Sequence, residues 1–126
     1  MRLVNGLLRR LSRITEISAP KQYPVVLHPR THHLRGRVLF SYLAQPVQWS
    51  EDDSRFGGHT NLWESREIAR IVSSLGYEVD AINWNDQRFV PEKEYNVCFD
   101  ISTNLQRLAP FLDRHAIKIV HRTGSD

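Results

Sequence analysis

Residues 62–82, LWESREIARIVSSLGYEVDAI, decide the fold because a helix, its stop signal and a strand follow one another without interruption. The apolar residues that recur at helical spacing are Ile68, Ala69, Ile71, Val72 and Leu75. Asn61 as N-cap, with Glu64 three residues later, has the pattern of a capping box. Gly76 has the freedom to adopt the left-handed conformation that ends many helices. The sequence therefore predicts a helix from 62 to 75, followed by a strand.

Short apolar runs on both sides of this helix predict strands, and the first run, at 38–43, is nearly continuous, which is typical of a strand that is buried on both faces of a parallel sheet. The predicted strand residues are Val38, Leu39, Phe40, Tyr42 and Leu43; Val79, Ala81 and Ile82; Val97, Cys98, Phe99 and Ile101; and Ile117, Ile119 and Val120. A strand, helix and strand crossover is right-handed in almost every case, which makes the joined strands parallel. The sequence thus predicts an α/β fold with a Rossmann-like parallel sheet of βαβ units.

A second helix is predicted between the third and fourth strands. Thr103 and Gln106 have capping-box spacing, and apolar residues continue at helical spacing to residue 112. Pro110 is expected to bend or split this helix. The chain ends at residues 123–126, where a strand-to-helix turn normally begins, so we expect the domain to be incomplete.

The composition is that of a globular protein, with 126 residues, 40% hydrophobic and 25% charged. Residues 1–37 carry eight Arg or Lys and one acid, a net charge of +7. Residues 38–126 carry nine Arg or Lys and thirteen acids, a net charge of −4. A mildly acidic body disfavours nucleic-acid binding by the whole domain. Cys98 is the only cysteine, which excludes an intrachain disulfide and favours a reducing compartment, so we expect a cytoplasmic protein.

The N-terminal part has a different pattern from the rest. Residues 2–17 contain apolar residues at helical spacing together with four arginines, a pattern that predicts a basic amphipathic helix. Such a helix is able to pack against the body of the protein or against a partner, or to lie on the surface of an anionic membrane as a peripheral contact. Prolines and a glycine interrupt residues 18–36, which predicts an irregular arm. We therefore divide the chain into residues 1–36 and a partial Rossmann-like domain at 37–126.

Ligands of open parallel α/β sheets bind beyond the carboxyl ends of the strands. Two adjacent glycines just before the first helix allow a phosphate to approach the backbone where free amides and the helix dipole favour anions. The predicted binding residues here are Gly57, Gly58, His59, Thr60, Asn61 and Glu64. The same residues also fit an ordinary loop, a capped helix and a surface histidine. The pattern is not a dinucleotide fingerprint, because a third glycine is missing.

Other residues with reactive side chains have simpler interpretations. Glu51, Asp52 and Asp53 are expected to face solvent, and we predict no metal site. Cys98 lies within an apolar strand and is expected to be a buried packing residue.

Three stretches resemble the N-terminal domain of bacterial GT-B glycosyltransferases, specifically the family-4-like members. They are GHTNLWE at 58–64, LGYEVD at 75–80 and IVHRTGS at 119–125. The resemblance covers about residues 37–126. It implies that this domain shapes the acceptor pocket of a two-domain enzyme, whose second domain binds most of the nucleotide-sugar donor.

The resemblance also implies which residues line the cleft. They are the glycine loop near the donor diphosphate, the helix start through Glu64, and Thr123 and Gly124 after the fourth strand. The implied substrates are a nucleotide sugar and a glycan or lipid-linked acceptor, with no further cofactor. Because the acidic pair of the retaining members lies in the second domain, this chain alone is expected to be inactive. The alternatives are a non-catalytic Rossmann-like module that binds a nucleotide or partner, and a Rossmann-type enzyme with another cofactor.

Overall fold

The computed structural model describes residues 23–122, which form a five-stranded mixed sheet with helices. The strands are β1 (Val25–Leu27), β2 (Gly36–Tyr42), β3 (Tyr77–Asn83), β4 (Val97–Asp100) and β5 (Ile117–Val120). Their order across the sheet is β1-β3-β2-β4-β5. Strands β2 to β5 are parallel, and β1 pairs with β3 in the antiparallel sense. The predicted α/β class is confirmed, and the arrangement is compatible with a Rossmann-like sheet.

The prediction of an entirely parallel sheet is wrong at the edge that β1 forms. The predicted arm at 18–36 contains this strand, in which Val25 lies opposite Ala81 and Leu27 opposite Val79. Three residues are too few for a recognisable period, and flanking prolines hide them further. The predicted amphipathic helix at 2–17 lies outside the described residues.

The helices lie where they are predicted but begin differently. Helix α1 spans Thr60–Ser74, and Gly76 follows its end with a φ of +100°, as the stop signal predicts. Helix α2 spans Asn104–Leu108 and continues as a 3₁₀ turn over Ala109–Phe111, so Pro110 splits the helix as predicted. Both predicted capping boxes are wrong, because neither helix has a side-chain hydrogen bond from its N-cap residue.

Two apolar clusters cover the two faces of the sheet. The buried residues of the first are Phe40, Tyr42, Ala44, Val47, Ala69, Val79 and Ala81. Those of the second are Leu39, Ile82, Phe89, Tyr95, Cys98 and Leu108. Helix α1 supplies Ala69 to the first and α2 supplies Leu108 to the second, so the helices pack on opposite faces. Cys98 is fully buried, as predicted, and burial raises the pKa of its thiol to about 12.

A buried carboxylate fixes the connection between β3 and β4 to the sheet. Asp80 Oδ2 accepts a hydrogen bond of 2.7 Å from the Tyr95 hydroxyl and lies 3.2 Å from Lys93 Nζ. Burial, and then this carboxylate, raise the pKa of Tyr95. Asp80 Oδ1 is buried and has no hydrogen-bond partner within the described residues. The connection is therefore held by charged and polar contacts as well as by apolar packing.

Candidate functional site at the carboxyl edge of the sheet

The carboxyl ends of β2, β3, β4 and β5 meet at one edge of the sheet, which we call the rim. Helix α1 starts at this edge, because its Glu64 contacts the last residue of β2 and the first residue after β5. The predicted position of the helix start beside the ends of parallel strands is thus confirmed.

The glycine loop lies directly before α1. Gly57 ends a 3₁₀ turn that spans Ser54–Gly57, and His59 is the N-cap residue of α1. A Cβ atom at Gly57 would meet nothing within 4 Å, and one at Gly58 would lie 3.8 Å from the Arg55 carbonyl. Local packing therefore does not require glycine at either position, and the Gly58 amide donates to the Arg55 carbonyl at 3.4 Å.

Aromatic and arginine side chains hold the long loop between β2 and α1 against the helix. Phe56 makes edge contacts with Trp49 and Trp63, at centroid distances of 5.3 and 5.2 Å. The buried Arg66 guanidinium donates to the Trp49 carbonyl at 3.0 Å and lies 5.3 Å from the Trp63 ring centroid. Arg55 stacks on Trp49 at 3.9 Å. These contacts fix the backbone that leads into the glycine loop.

Glu64 connects two strands at the rim. Its Oε1 lies 2.7 Å from His121 Nε2 and accepts a hydrogen bond of 3.3 Å from the Tyr42 hydroxyl. The His121 ring stacks on Phe99 at a centroid distance of 5.6 Å. An ionised carboxylate only accepts hydrogen bonds, so the Nε2 atom of a neutral His121 carries the proton and Nδ1 keeps its lone pair.

The pair is open enough to meet a ligand. The side chains of His121 and Glu64 are 36% and 40% exposed. The buried Tyr42 contacts Glu64 through its hydroxyl. Burial is the larger cause, and the charge of Glu64 the smaller, that raises the pKa of the Tyr42 phenol to about 12. The phenol therefore stays protonated and keeps donating to Glu64 in neutral solution.

A buried polar group sets the position of the chain at His121. Asp100 Oδ1 accepts from the Ser41 hydroxyl at 2.8 Å, and its Oδ2 accepts from the Leu105 amide at 2.9 Å. The Asp100 carbonyl accepts a 2.8 Å hydrogen bond from the His121 amide. Asp100 thereby performs the capping role predicted for Thr103, because its carboxylate satisfies a free amide of α2.

No protein-family model, curated protein or solved structure matches this chain.

The predicted site residues divide into three groups. Glu64 takes part in the rim cluster, but its role in a capping box is wrong. The exposed residues of the loop and helix start are Gly57, Gly58, His59, Thr60 and Asn61. Thr123 and Gly124 lie outside the described residues. His121 and Tyr42 are not among the predicted site residues. The position of His121 directly after the last apolar strand is the signal that could have identified it; Tyr42 has no such signal.

The remaining predictions on charge and membranes concern other parts of the chain. Glu51 and Asp52 are exposed, as predicted, while Asp53 forms an ion pair with Arg55 at 2.7 Å. Within residues 23–122 no group of three or more His, Cys, Asp or Glu has the arrangement of a metal site. Over the same residues, none of the helices has the length and apolar character needed to cross a membrane.

Proposed function

We propose that this chain is the N-terminal, acceptor-side part of a GT-B glycosyltransferase with a Rossmann-like fold. It would transfer a sugar from a nucleotide-sugar donor to a glycan or lipid-linked acceptor. The observation that carries the proposal is the exposed pair of Glu64 and His121 at the rim, beside the glycine loop and the start of α1. The resemblance of residues 58–64, 75–80 and 119–125 to that class supports it.

The chemistry of glycosyl transfer fits these groups. The acceptor oxygen forms a bond to the anomeric carbon while the bond from that carbon to the diphosphate breaks, so negative charge develops on the leaving phosphate. In this proposal the first amides of α1 stabilise that charge, and the space beside Gly57 and Gly58 admits the phosphate. His121 Nδ1 is the group that accepts the proton of the acceptor hydroxyl or, once protonated, donates to a phosphate oxygen.

The role of Glu64 in this scheme is to position His121. Its carboxylate fixes the tautomer of the imidazole and stabilises the imidazolium that forms when Nδ1 takes a proton. By the resemblance, Thr123 and Gly124, which follow His121 in the sequence, line the same cleft. The basic residues of the 2–17 segment would suit an acceptor that is anchored in an anionic membrane, with the enzyme at its cytoplasmic face.

The test compares two carboxylates of the same helix. Glu64 and Glu67 have side chains that are 40% and 39% exposed, and only Glu64 contacts His121. In a chain extended past residue 126 to include the expected second domain, Glu64→Gln lowers kcat/KM for transfer roughly 100-fold, while Glu67→Gln leaves it unchanged. In the 126-residue chain, nucleotide sugars perturb the amides of residues 57–64 without turnover. Wild-type transfer by the Glu64→Gln variant would contradict the assigned role of the rim pair.

A second candidate is a non-catalytic module that binds a partner. The observation in its favour is the edge strand β5, in which Ile117, Ile119 and Val120 are 61%, 42% and 53% exposed. An edge strand with exposed apolar side chains is suited to pairing with another chain. If no nucleotide or nucleotide sugar perturbs residues 57–64, this candidate replaces the glycosyltransferase.

A further inference from the structure

The sheet face on which α1 packs is only partly covered. The register places Val97 beside Ile117 and Phe99 beside Ile119. Because alternate residues of a strand point to the same face, these four side chains share one face of β4 and β5. Phe99 packs against the apolar cluster to which α1 contributes Ala69, so this is the α1 face. Ile117 and Ile119 are nonetheless exposed, so the described helices leave this part of the face open to solvent.

One side of α1 continues this apolar surface. Glu64 contacts His121 just after β5, so the side of α1 that carries Glu64 is turned toward β4 and β5. Ile68, Ile71 and Leu75 follow Glu64 at helical intervals of four, three and four residues, which places them on the same side. Ile71 and Leu75 are 58% and 55% exposed. The residues that we call the open face are Ile68, Ile71, Leu75, Val97, Phe99, Ile117 and Ile119.

The open face has the width of one helix, and the sheet topology does not fill it. Two strands occupy about 10 Å, which is the distance between neighbouring packed helices. Right-handed crossovers place α1, which leads toward the β1 edge, on one face and α2, which leads toward the β5 edge, on the other. A helix leading to any strand beyond β5 would again lie on the α2 face. An occupant of the open face therefore comes from outside these crossovers.

The segment at 2–17, which lies outside the described residues, has the sequence that this surface requires. Leu3, Leu7, Leu11 and Ile14 recur at intervals of four, four and three residues, the same spacing that the open side of α1 shows. The four arginines of the segment fall on the opposite side of the predicted helix. An isolated helix of this length is marginal in water, so its apolar side needs a surface on which to pack.

The point of attachment brings the segment within reach of the open face. Val25 pairs with Ala81 near the carboxyl end of β3, and three to four strand spacings of about 4.8 Å separate β1 from β4 and β5. The distance is therefore about 14 to 19 Å, and residues 18–24 span up to about 23 Å when extended. Such a tether gives an effective concentration on the order of 1 mM, which exceeds that of a second copy at micromolar concentration.

We propose that the predicted amphipathic helix at 2–17 packs its apolar side on the open face of the same chain, beside α1. The four arginines then remain at the surface. This docking does not rest on the proposed function, since it follows from two complementary apolar surfaces of one chain.

The test compares two pairs of substitutions in the same predicted helix of the full chain. Leu7→Ser with Leu11→Ser removes two side chains from the apolar side. Arg9→Ser with Arg13→Ser changes the opposite side at a similar cost in helix propensity, because leucine and arginine have nearly equal propensities. Only the leucine pair is expected to release the segment.

Two measurements report the release. In methyl NMR, the leucine pair should shift the resonances of Ile71, Ile117 and Ile119, while Ile82, buried on the α2 face, stays unchanged. In urea unfolding, the leucine pair should raise the unfolding equilibrium constant at least about tenfold, which corresponds to about 1.4 kcal/mol. The arginine pair should leave both measurements unchanged.

Three results would overturn the proposal. Unchanged Ile117 and Ile119 resonances in the leucine pair would show that the segment lies elsewhere and is free for a membrane or a partner. Equal effects of the two pairs would show that the apolar side does not make the contact. Shifts that vary with protein concentration, between about 20 μM and about 500 μM, would assign the open face to a second copy. The partner-binding candidate differs at Ile119, because Ile119→Lys lowers the Tm only if the segment covers this side chain.

Discussion

Two serines of α1 allow the link between helix and sheet to be measured. Ser65 is fully buried, and its hydroxyl donates to the Leu43 carbonyl at 2.8 Å and accepts from the Leu43 amide at 3.2 Å. Ser73 is 8% exposed, and its hydroxyl makes no hydrogen bond within the described residues. Replacing each serine by alanine removes the same atom from the same helix in two different environments.

The expected effects have opposite signs. Each hydrogen bond contributes about 1 kcal/mol, so Ser65→Ala loses about 2 kcal/mol. Alanine favours the helix by about 0.5 kcal/mol, which leaves a net destabilisation of about 1.5 kcal/mol at position 65. Ser73→Ala loses no such bond and stabilises the chain by about 0.5 kcal/mol. The two variants should therefore differ by about 2 kcal/mol in the free energy of unfolding.

Urea unfolding at constant pH measures this difference. With a denaturant slope of about 1 to 3 kcal/mol per molar, the two midpoints should be separated by on the order of 1 M urea. The slopes should be equal, since both variants expose the same surface on unfolding. Equal midpoints for the two variants would refute the claim that Ser65 joins α1 to the end of β2.

Three further predictions follow from the charges and the exposed edge. The Cys98 thiol, buried and with a pKa raised to about 12, should not react with a disulfide reagent at pH 8 until the chain unfolds, and fast reaction of the native protein would contradict its burial. The Arg55 side chain and, after it, the Arg55 amide lower the pKa of Asp53 to about 2, so carboxyl NMR should show the pKa rising part of the way toward about 4 in Arg55→Ala, which keeps the amide; any stability from the pair is present above pH 4 and is lost as the pH falls toward 2. If the partner-binding candidate holds and chains pair through β5, Ile119→Lys at this exposed edge position should lower association in sedimentation experiments without lowering the Tm, and a large loss of Tm would show that this side chain is packed.

The elements that the sequence predicts correctly have long or strongly apolar patterns. Helix α1 has four turns of periodic residues and a glycine stop, β2 has a nearly continuous apolar run, and β3 has Val79, Ala81 and Ile82 beside two acids. These patterns report burial directly, so they are recognisable without knowledge of the tertiary contacts. The three-residue β1 gives no such pattern, because its conformation depends on β3, which lies about fifty residues later in the chain.

The candidate site shows the same division. The sequence identifies the helix start and Glu64, because helix position and strand order together predict the rim. It does not identify the partners of Glu64, since Tyr42 and His121 are 22 and 57 residues away from it. The failure of the two capping boxes has a related cause. Helix α1 begins at Thr60 with His59 as its N-cap residue, so Glu64 does not have the N3 spacing of a capping box, and its carboxylate contacts His121 at 2.7 Å instead.

The antiparallel direction of β1 determines where the first 22 residues join the folded part. Val25 pairs with Ala81 near the carboxyl end of β3, so the chain enters the sheet beside Asn83. That leader carries five Arg or Lys and a single acid. Whatever the conformation of the leader, these charges are covalently tethered to Val25, with Lys21 four residues before it. Covalent attachment keeps the local concentration of positive charge high around the start of β1, which favours the approach of anionic molecules to this end of β3.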